Sequence, residues 1–230
     1  MIPCANPKAQ YLSYRDDINS AIQRVLDSGW YVLGEEVTRF EKEFAQFNTV
    51  SHTVGVGSGT EALHIALRAL DIGQGDEVIT TAHTAVATAS AIDLAGAKPI
   101  FVDIEPDFFT IDPDLIEDAI TPKTKAIIPV HIYGQPCNMD AIMEIANKNN
   151  LKVIEDAAQA IGSRYKNKMS GSYGHIGCFS AHPLKNLSAL GDSGYLTTNN
   201  YNIYKKTKSL RNHGMDNRNI IKNFGYVSRM

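Results

Sequence analysis

Hydrophobic residues follow two different periods along this chain. Near the amino terminus they recur at helical spacing, first at Ile18, Ala21, Ile22, Val25 and Leu26 and then at Val37, Phe40, Phe44 and Phe47. Such spacing is typical of one apolar face of an α-helix. The pair Ser28-Gly29 between the two sets is typical of a helix end. The pattern therefore predicts two amphipathic helices at the start of the chain.

From residue 53 onward, short β-rich runs alternate with helix-like runs. The predicted strands are Thr53–Val56, Glu77–Thr80, Pro99–Ile104, Ala126–His131, Lys152–Glu155, Ile176–Ser180 and Tyr195–Thr198. The predicted helices between them are Thr60–Leu70, Thr84–Leu94, Pro113–Ile120, Met139–Asn149 and Tyr201–Arg211. This alternation predicts an α/β fold with a mostly parallel central sheet and helices on both faces. Ligands of such sheets bind beyond the carboxyl ends of the strands, so residues just after each strand are the functional candidates.

Composition narrows the class of protein. The chain has 230 residues, of which 43% are hydrophobic, and a net charge of -3, which predicts a sizeable core and no nucleic-acid partner. No apolar run approaches the ~18–20 residues of a membrane span, and the first residues do not resemble a signal peptide. The three cysteines, Cys4, Cys137 and Cys178, form no C-x-x-C pair, so the sequence predicts neither a disulfide framework nor a zinc ribbon. A cytoplasmic protein is expected.

The turn after the first predicted strand reads Gly57-Ser58-Gly59-Thr60 and leads into a helix. Free backbone N–H groups and the positive end of the helix dipole can bind a phosphate there, which makes Gly59 and Thr60 candidates. The glycine spacing fits neither a P-loop nor a dinucleotide-binding fingerprint. A structural turn without a ligand is the alternative.

Asp156 and Lys185 carry the strongest chemistry in the sequence. Asp156 ends an apolar run, so we expect a partly buried carboxylate that needs a partner, such as a protonated pyridine nitrogen. A helix N-cap is the alternative for Asp156. Lys185 can act as an amine nucleophile if its apolar neighbours exclude water, and a solvated surface lysine is the alternative. Those neighbours are Phe179, Ala181, Pro183, Leu184 and Leu187.

Three more polar residues follow predicted strands. Gln159 can donate a hydrogen bond to a ring oxygen, and Ser180 can add a hydroxyl to the phosphate site. The imidazole of His83 can lie against a cofactor ring, or it can be a histidine at a helix start that bonds to backbone. Together with Gly59, Thr60, Asp156 and Lys185, these residues are the components of a pyridoxal phosphate site.

A metal site is not predicted. His131 and Cys137 follow the fourth strand, but two potential ligands at this spacing are weak evidence.

These motifs, in this order, resemble the DegT/DnrJ/EryC1/StrS sugar aminotransferases, which are fold-type-I enzymes dependent on pyridoxal phosphate. The segments that carry the resemblance are Ile2-Pro3, Asp27–Gly34, Gly57–Leu63, Gly75–Ile79, Glu155–Gln159, His182–Asn186 and Arg211–Gly214. The resemblance implies that residues 1–230 form an N-terminal segment and the cofactor-binding large domain. The smaller C-terminal domain of the family is expected to be absent, and the chain is expected to be a fragment.

The resemblance also implies residue roles. Lys185 would form a Schiff base with the cofactor and move protons in both half-reactions, while Asp156 would hold the pyridinium nitrogen. Gln159 would contact the ring oxygen. Phosphate would be held by the amides of Gly59 and Thr60 and by Ser180. At the position facing the ring, His83 is expected rather than Ala85, which cannot stack.

By the same resemblance, the reaction moves an amino group from L-glutamate to a nucleotide-linked keto-sugar of the dTDP, UDP or GDP type. Such enzymes serve the biosynthesis of polysaccharides or secondary metabolites. A homodimer is expected, with Trp30 and the Arg211–Gly214 loop near its interface. One departure concerns Val227, which stands where the family commonly has an asparagine that reaches the partner's phosphate.

Other functions remain open at this point. The chain can be a truncated, non-catalytic homologue that binds pyridoxal phosphate. A sugar dehydratase of similar fold is a further alternative, although those enzymes carry histidine in place of the lysine at Lys185. A nicotinamide-binding domain is disfavoured, because the glycine spacing is wrong and Lys185 would have no role.

Overall fold

The computed structural model describes residues 5–217 and 219–230, so Ile2, Pro3 and Cys4 lie outside the described residues. Its helices are α1 (Pro7–Ser13), α2 (Arg15–Ser28), α3 (Glu35–Phe47), α4 (Gly59–Ala69), α5 (Val86–Leu94), α6 (Met139–Lys148) and α7 (Tyr201–Leu210). Its longer strands are β1 (His52–Val56), β2 (Glu77–Thr81), β3 (Lys98–Val102), β4 (Thr124–Ile127), β5 (Lys152–Asp156), β8 (Ile176–Ser180) and β9 (Gly194–Thr198). Short hairpins pair β6 (Arg164–Tyr165) with β7 (Lys168–Met169) and β10 (Met215–Asn217) with β11 (Ile220–Ile221).

The longer strands form one sheet in the order β1-β9-β8-β5-β4-β2-β3. The pairs from β8 through β5, β4 and β2 to β3 are parallel, and β9 is antiparallel to both β8 and β1. The predicted mostly parallel α/β sheet is confirmed. Since β9 is the reversed strand of this sheet, its amino end lies beside the carboxyl ends of its neighbours, where Gly194 pairs with Val56 and Ser180. We call this side of the sheet the carboxyl edge.

Helices cover both faces of the sheet. Successive residues of a strand point to opposite faces, and in β5 Val153 and Ile154 do so. Ile154 packs with residues of α4 and α5, whereas Val153 packs with residues of α6. A third cluster places Phe44 of α3 against Phe179 and Tyr195. Every side chain of β5 beyond its first residue is therefore buried.

Two differences between the observed and the predicted element ends bear on the site. The fourth strand stops at Ile127 instead of His131, because Pro129 has no N–H to donate to a sheet ladder. The backbone nevertheless stays beside β5, where Asp156 N donates to the carbonyl of Pro129 at 2.9 Å. Helix α5 begins at Val86 instead of Thr84. Thr84 and Ala85 therefore remain outside the helix at the carboxyl edge.

The predicted helix Pro113–Ile120 was wrong. Two short 3₁₀ turns, Pro113–Leu115 and Glu117–Ala119, occupy that segment. Ile116 between them is fully buried, while Leu115 is exposed. Starting an α-helix is costly, and a segment of this length that anchors one large side chain gains little from continuing it.

The amino-terminal pattern was largely correct. Helix α2 ends at Ser28, as the sequence predicted, and Gly29 adopts the left-handed conformation that ends it. The second predicted amphipathic helix is α3, which contains Val37, Phe40, Phe44 and Phe47. Helix α1 was not predicted. No helix among the described residues is long and apolar enough to cross a membrane.

Truncating Ile154 to alanine should lower the free energy of unfolding by about 2–5 kcal/mol, because this side chain is fully buried between the sheet and its helices. Ile221→Ala is the control, since Ile221 is 63% exposed, and its effect should stay within about 0.5 kcal/mol. Urea unfolding measures both. Equal losses in the two variants would contradict this description of the core.

Candidate active site at the carboxyl edge

A cavity of about 310 Å³ opens at the carboxyl edge. Its volume is at the lower end of the range of ~300–1,000 Å³ typical of small-molecule pockets. The lining residues lie at or after the carboxyl ends of five different strands, four of them within helices α4 and α5, and one precedes β9. They are Ser58, Gly59, Thr60, Leu63, Thr84, Ala85, Ala87, Val130, His131, Asp156, Ala158, Gln159, Ser180, His182, Lys185 and Asp192.

The first turn of α4 forms one part of the wall. Ser58 caps the helix, with its Oγ accepting a hydrogen bond from Glu61 N at 3.1 Å. Gly59 and Thr60 follow as the first helical residues, where backbone N–H groups have no partner within the helix. A Cβ on Gly59 would lie 2.7 Å from Ser180 Cβ, so glycine lets the turn approach the end of β8. These residues fit an anion such as a phosphate.

Ser228, next to Val227, stabilises this turn through hydrogen bonds. Ser228 Oγ accepts a hydrogen bond from Gly57 N at 3.1 Å and donates one to Glu61 Oε2 at 2.8 Å. Ser228 is buried and Val227 is exposed. Ser228 was not predicted from the sequence, because a lone serine beside Val227 carries no recognisable motif.

Asp156 lies on the α4 and α5 face of the sheet. Its Oδ2 accepts a hydrogen bond from Thr88 Oγ1 at 2.8 Å, and its Oδ1 accepts one from Ala158 N at 3.2 Å. Burial raises the pKa of Asp156, and the hydrogen bonds from Thr88 and Ala158 partly offset that rise. The alternative of a helix N-cap does not hold, because no helix follows Asp156 before α7.

Glu155, one residue earlier, points to the opposite face and is fully buried. It accepts hydrogen bonds from the backbone N–H groups of Gly171, Tyr173 and Gly174, each at 2.7 Å. His131 Nε2 lies 3.0 Å from Glu155 Oε2. Two adjacent carboxylates therefore differ in role, since Glu155 is saturated with partners and Asp156 borders the cavity.

His131 and Cys137 form hydrogen bonds with the backbone and with Glu155. Cys137 N donates to His131 Nδ1 at 3.1 Å, and the Cys137 thiol donates to Val130 O at 3.2 Å. An acceptor at Nδ1 assigns the proton of the neutral ring to Nε2, from which it donates to Glu155. Across residues 5–217 and 219–230, no three side chains of His, Cys, Asp or Glu are grouped to hold a metal ion.

Lys185 is half-buried on the cavity wall, and its backbone N donates to His182 O at 2.8 Å. The expected apolar surroundings were only partly correct. Phe179 and Ala181 are buried, but Leu184 is 61% exposed and Leu187 is exposed as well. The loop after β8 extends away from the core at these leucines.

Gln159 and Ser180 also line the cavity, as the prediction requires. Gln159 Oε1 accepts a hydrogen bond from Tyr133 N at 2.7 Å. That contact leaves the amide NH₂ of Gln159 as the donor available to a ligand. Its bond to a ring oxygen stays a prediction.

His83 is not among the residues that line the cavity. Its ring centroid lies 5.8 Å from that of Tyr133 and 6.4 Å from that of Phe109. Thr84 and Ala85 line the cavity in this stretch instead. The geometry therefore does not support His83 as the residue facing the cofactor ring, and that role stays a prediction.

Thr84 and Asp192 line the cavity but were not predicted to do so. Thr84 was assigned to a helix that in fact starts two residues later. Asp192 precedes β9, and residues before a strand lie at the far edge of a parallel sheet. Asp192 reaches the cavity because β9 is reversed, which a strand pattern in one sequence does not reveal.

The chain is similar to proteins of known family. The profile of the DegT/DnrJ/EryC1/StrS aminotransferase family matches residues 13–230. A UDP-N-acetyl-3-dehydro-alpha-D-glucosamine 3-aminotransferase of Acidithiobacillus ferrooxidans is 48% identical over 93% of this chain and 58% of its own length. A dTDP-3-amino-3,4,6-trideoxy-alpha-D-glucose transaminase of Streptomyces venezuelae is 46% identical over 93% of this chain and 56% of its own length. The chain thus spans less than two thirds of these relatives.

A solved structure is similar as well. NtdA from Bacillus subtilis, with its bound cofactor PMP, superposes with a TM-score of 0.90 and 40% identity over 95% of this chain and 50% of that one.

Replacing Gly194 by alanine should lower the free energy of unfolding by about 1–3 kcal/mol. A Cβ there would lie 2.4 Å from the carbonyl of Ser58 and 2.6 Å from Gly59 N, and backbone atoms cannot move aside cheaply. Gly191→Ala is the matched control in the same turn, because a Cβ at Gly191 meets nothing within 4 Å. Urea unfolding of both variants is the measurement, and a Gly194→Ala protein as stable as Gly191→Ala would contradict the close packing.

Asp156→Asn should raise the free energy of unfolding of the cofactor-free protein at about pH 8. It should have less effect at about pH 4, close to the ordinary pKa of an unfolded aspartate. Because burial raises the pKa of Asp156, the folded chain binds a proton here more tightly than the unfolded chain does. Stability is therefore lost as pH rises, and the neutral amide avoids that loss. Denaturant unfolding at both pH values is the measurement. Asp118→Asn, at an exposed position, is the control, and a gain that did not grow with pH would contradict the assignment.

Proposed function

This chain belongs to the DegT/DnrJ/EryC1/StrS aminotransferase family, and on that premise we propose that the protein transfers an amino group from L-glutamate to a nucleotide-linked keto-sugar, with pyridoxal phosphate as cofactor. One observation carries the proposal. The buried carboxylate of Asp156, the amine-bearing Lys185 and the amino end of α4 border one cavity of about 310 Å³. Each matches a different part of that cofactor.

The residues present fit this cofactor. Gly59, Thr60 and Ser180 would bind its phosphate, and Asp156 would accept a hydrogen bond from its protonated ring nitrogen. A cationic partner would also relieve the cost of keeping an ionised carboxylate buried. Gln159 would donate to the ring oxygen. When bound, pyridoxal phosphate supplies an aldehyde that reacts with amines and a ring that accepts electrons.

Lys185 would be the general acid and base of both half-reactions. Its side chain is long, half-buried and on the cavity wall, so the amine can approach a bound molecule and withdraw from it. A proton would move between Lys185 Nζ and the substrate carbon beside it. Asp156 would keep its charge during this transfer, held by Thr88 and Ala158.

The proposed acceptor is a keto-sugar linked to a nucleotide. One relative of this chain is named as an aminotransferase of a UDP-linked sugar, and another as a transaminase of a dTDP-linked sugar. A second cavity of about 330 Å³ shares Ala158, Gln159, Ser180 and Lys185 with the first and extends toward Tyr133 and Asn186. It offers room for a substrate beside the cofactor.

We further propose that the protein acts as a homodimer in the cytoplasm. Trp30 is 66% exposed, and Tyr31 and Val32 beside it are exposed too. Contiguous apolar residues on a surface favour burial against a partner. Arg211 is less suited to an interface than the sequence suggested, because its buried guanidinium bonds to Glu41 and, at 2.7 Å, to Gly55 O.

Lys185→Ala should abolish the visible absorbance band that develops when pyridoxal phosphate is added to the protein, because Lys185 is the one lysine among the described residues of the cavity wall. Borohydride reduction followed by peptide mass mapping should find the label on Lys185 in the unchanged protein. Lys205→Ala, at an exposed site on α7, is the control and should keep the band. A band retained in Lys185→Ala would overturn the proposal.

L-glutamate should bleach the visible band of the unchanged protein and release 2-oxoglutarate. Adding a nucleotide-linked 3-keto or 4-keto sugar should then restore it. Bleaching without restoration by any sugar of a dTDP, UDP and GDP panel would leave the first half-reaction standing and reject the proposed acceptor. A band that L-glutamate leaves unchanged would reject the amino donor.

A further inference from the structure

Two threonines link the cavity wall to the buried carboxylate of Asp156. Thr88 Oγ1 lies 2.8 Å from Asp156 Oδ2, and Thr84 Oγ1 lies 2.7 Å from Thr88 Oγ1. Thr88 is fully buried, whereas Thr84 is half-buried and lines the cavity. The three side chains form a continuous chain of hydrogen bonds from the cavity into the core.

The direction of each hydrogen bond in this network follows from counting donors and acceptors. A hydroxyl has one proton to donate, and an ionised carboxylate can only accept. Thr88 therefore donates its proton to Asp156 and accepts the proton of Thr84. Thr84 then has its proton turned inward, so its oxygen can act only as an acceptor on the cavity side.

The backbone explains why both hydroxyls are held in place. Thr88 lies in the first turn of α5, where the helix dipole also favours a nearby negative charge. Thr84 precedes the helix, and its N–H donates to Ala82 O at 3.0 Å. The two residues are four positions apart at the start of α5, and their hydroxyls meet at 2.7 Å.

We propose that Thr84 and Thr88 are positioning residues that orient the Asp156 carboxylate and keep it ionised for a cationic partner in the cavity. Thr88 acts directly on Oδ2, and Thr84 acts through Thr88 by polarising its hydroxyl. The cationic partner is the protonated ring nitrogen if the proposed function is correct, so that part of the inference rests on the proposed function. The effect of the two threonines on the ionisation of Asp156 does not depend on the proposed function.

Other groups also act on Asp156. Ala158 N donates to Oδ1, and the charge of Lys185 favours the ionised form. Cys178 lies opposite Asp156 on β8, and burial raises the pKa of its thiol well above the ordinary value, so it stays neutral. Glu155 points to the other face. Thr88 is the side chain that contacts Oδ2 directly.

The first test uses the cofactor-free protein with its aspartate carboxyl carbons labelled with ¹³C. In Thr88→Val, which keeps the shape of the side chain and removes the hydroxyl, the pKa of Asp156 followed by NMR should rise above that of the unchanged protein. Thr88→Ser keeps the hydroxyl and should stay close to the unchanged value. Thr84→Val should raise that pKa by less than Thr88→Val does. Equal values in all four proteins would overturn the proposal, and circular dichroism confirms that each variant is folded.

The second test measures pyridoxal phosphate dissociation by equilibrium dialysis. Thr88→Val should weaken binding about tenfold, the loss expected from one hydrogen bond to a charged group, while Thr88→Ser should bind normally. On an Asp156→Asn background, Thr88→Val should add nothing, because its effect runs through the carboxylate. Equal losses in both backgrounds would make Thr88 a purely structural residue. If the unchanged protein bound no pyridoxal phosphate, the proposed function would fail and the NMR result would still decide the role of Thr88.

Discussion

The site depends on two adjacent carboxylates at the end of β5. Alternation along a strand sends Glu155 and Asp156 to opposite faces of the sheet, and both are buried. Glu155 binds three backbone N–H groups and His131, so it ties the loop between β7 and β8 to the sheet. Asp156 has fewer partners and borders the cavity. One carboxylate thus stabilises the scaffold, and the other remains available for a ligand.

The turn before α4 depends on contacts from distant parts of the chain. Gly194 packs against the carbonyl of Ser58, and Ser228 binds both Gly57 and Glu61. Arg211 and Glu41 together bind the backbone of Gly55, one strand residue away from the turn. A rigid turn keeps its free N–H groups aimed at the same place, which is what a preorganised anion site requires. Gly194, Arg211 and Ser228 therefore stabilise this turn without lining the cavity themselves.

Much of the fold was predictable, because long regular patterns dominate it. The strand Ile176–Ser180 was predicted with the observed bounds, and the other six differ from the structure by a few residues at their ends. The failures were local. Pro113–Ile120 has the composition of a helix, but with Ile116 as its one fully buried large side chain it forms two 3₁₀ turns. The predicted start of α5 was two residues too early, so Thr84 was not predicted to line the cavity.

The sequence by itself determined the strand-and-helix alternation and the identity of Lys185, Asp156, Gln159, Gly59, Thr60 and Ser180 as candidates. Residues of this kind after apolar strands are enough to predict which edge of a parallel sheet they share. Only the tertiary structure decided how they are supported and which neighbours join them. Thr88, Asp192 and Ser228 are far from Asp156 or Gly59 in sequence, and His83 is turned toward Tyr133 and Phe109. Contacts between distant segments depend on tertiary packing, such as the reversed strand β9 that brings Asp192 to the cavity, and no local pattern in one sequence encodes it.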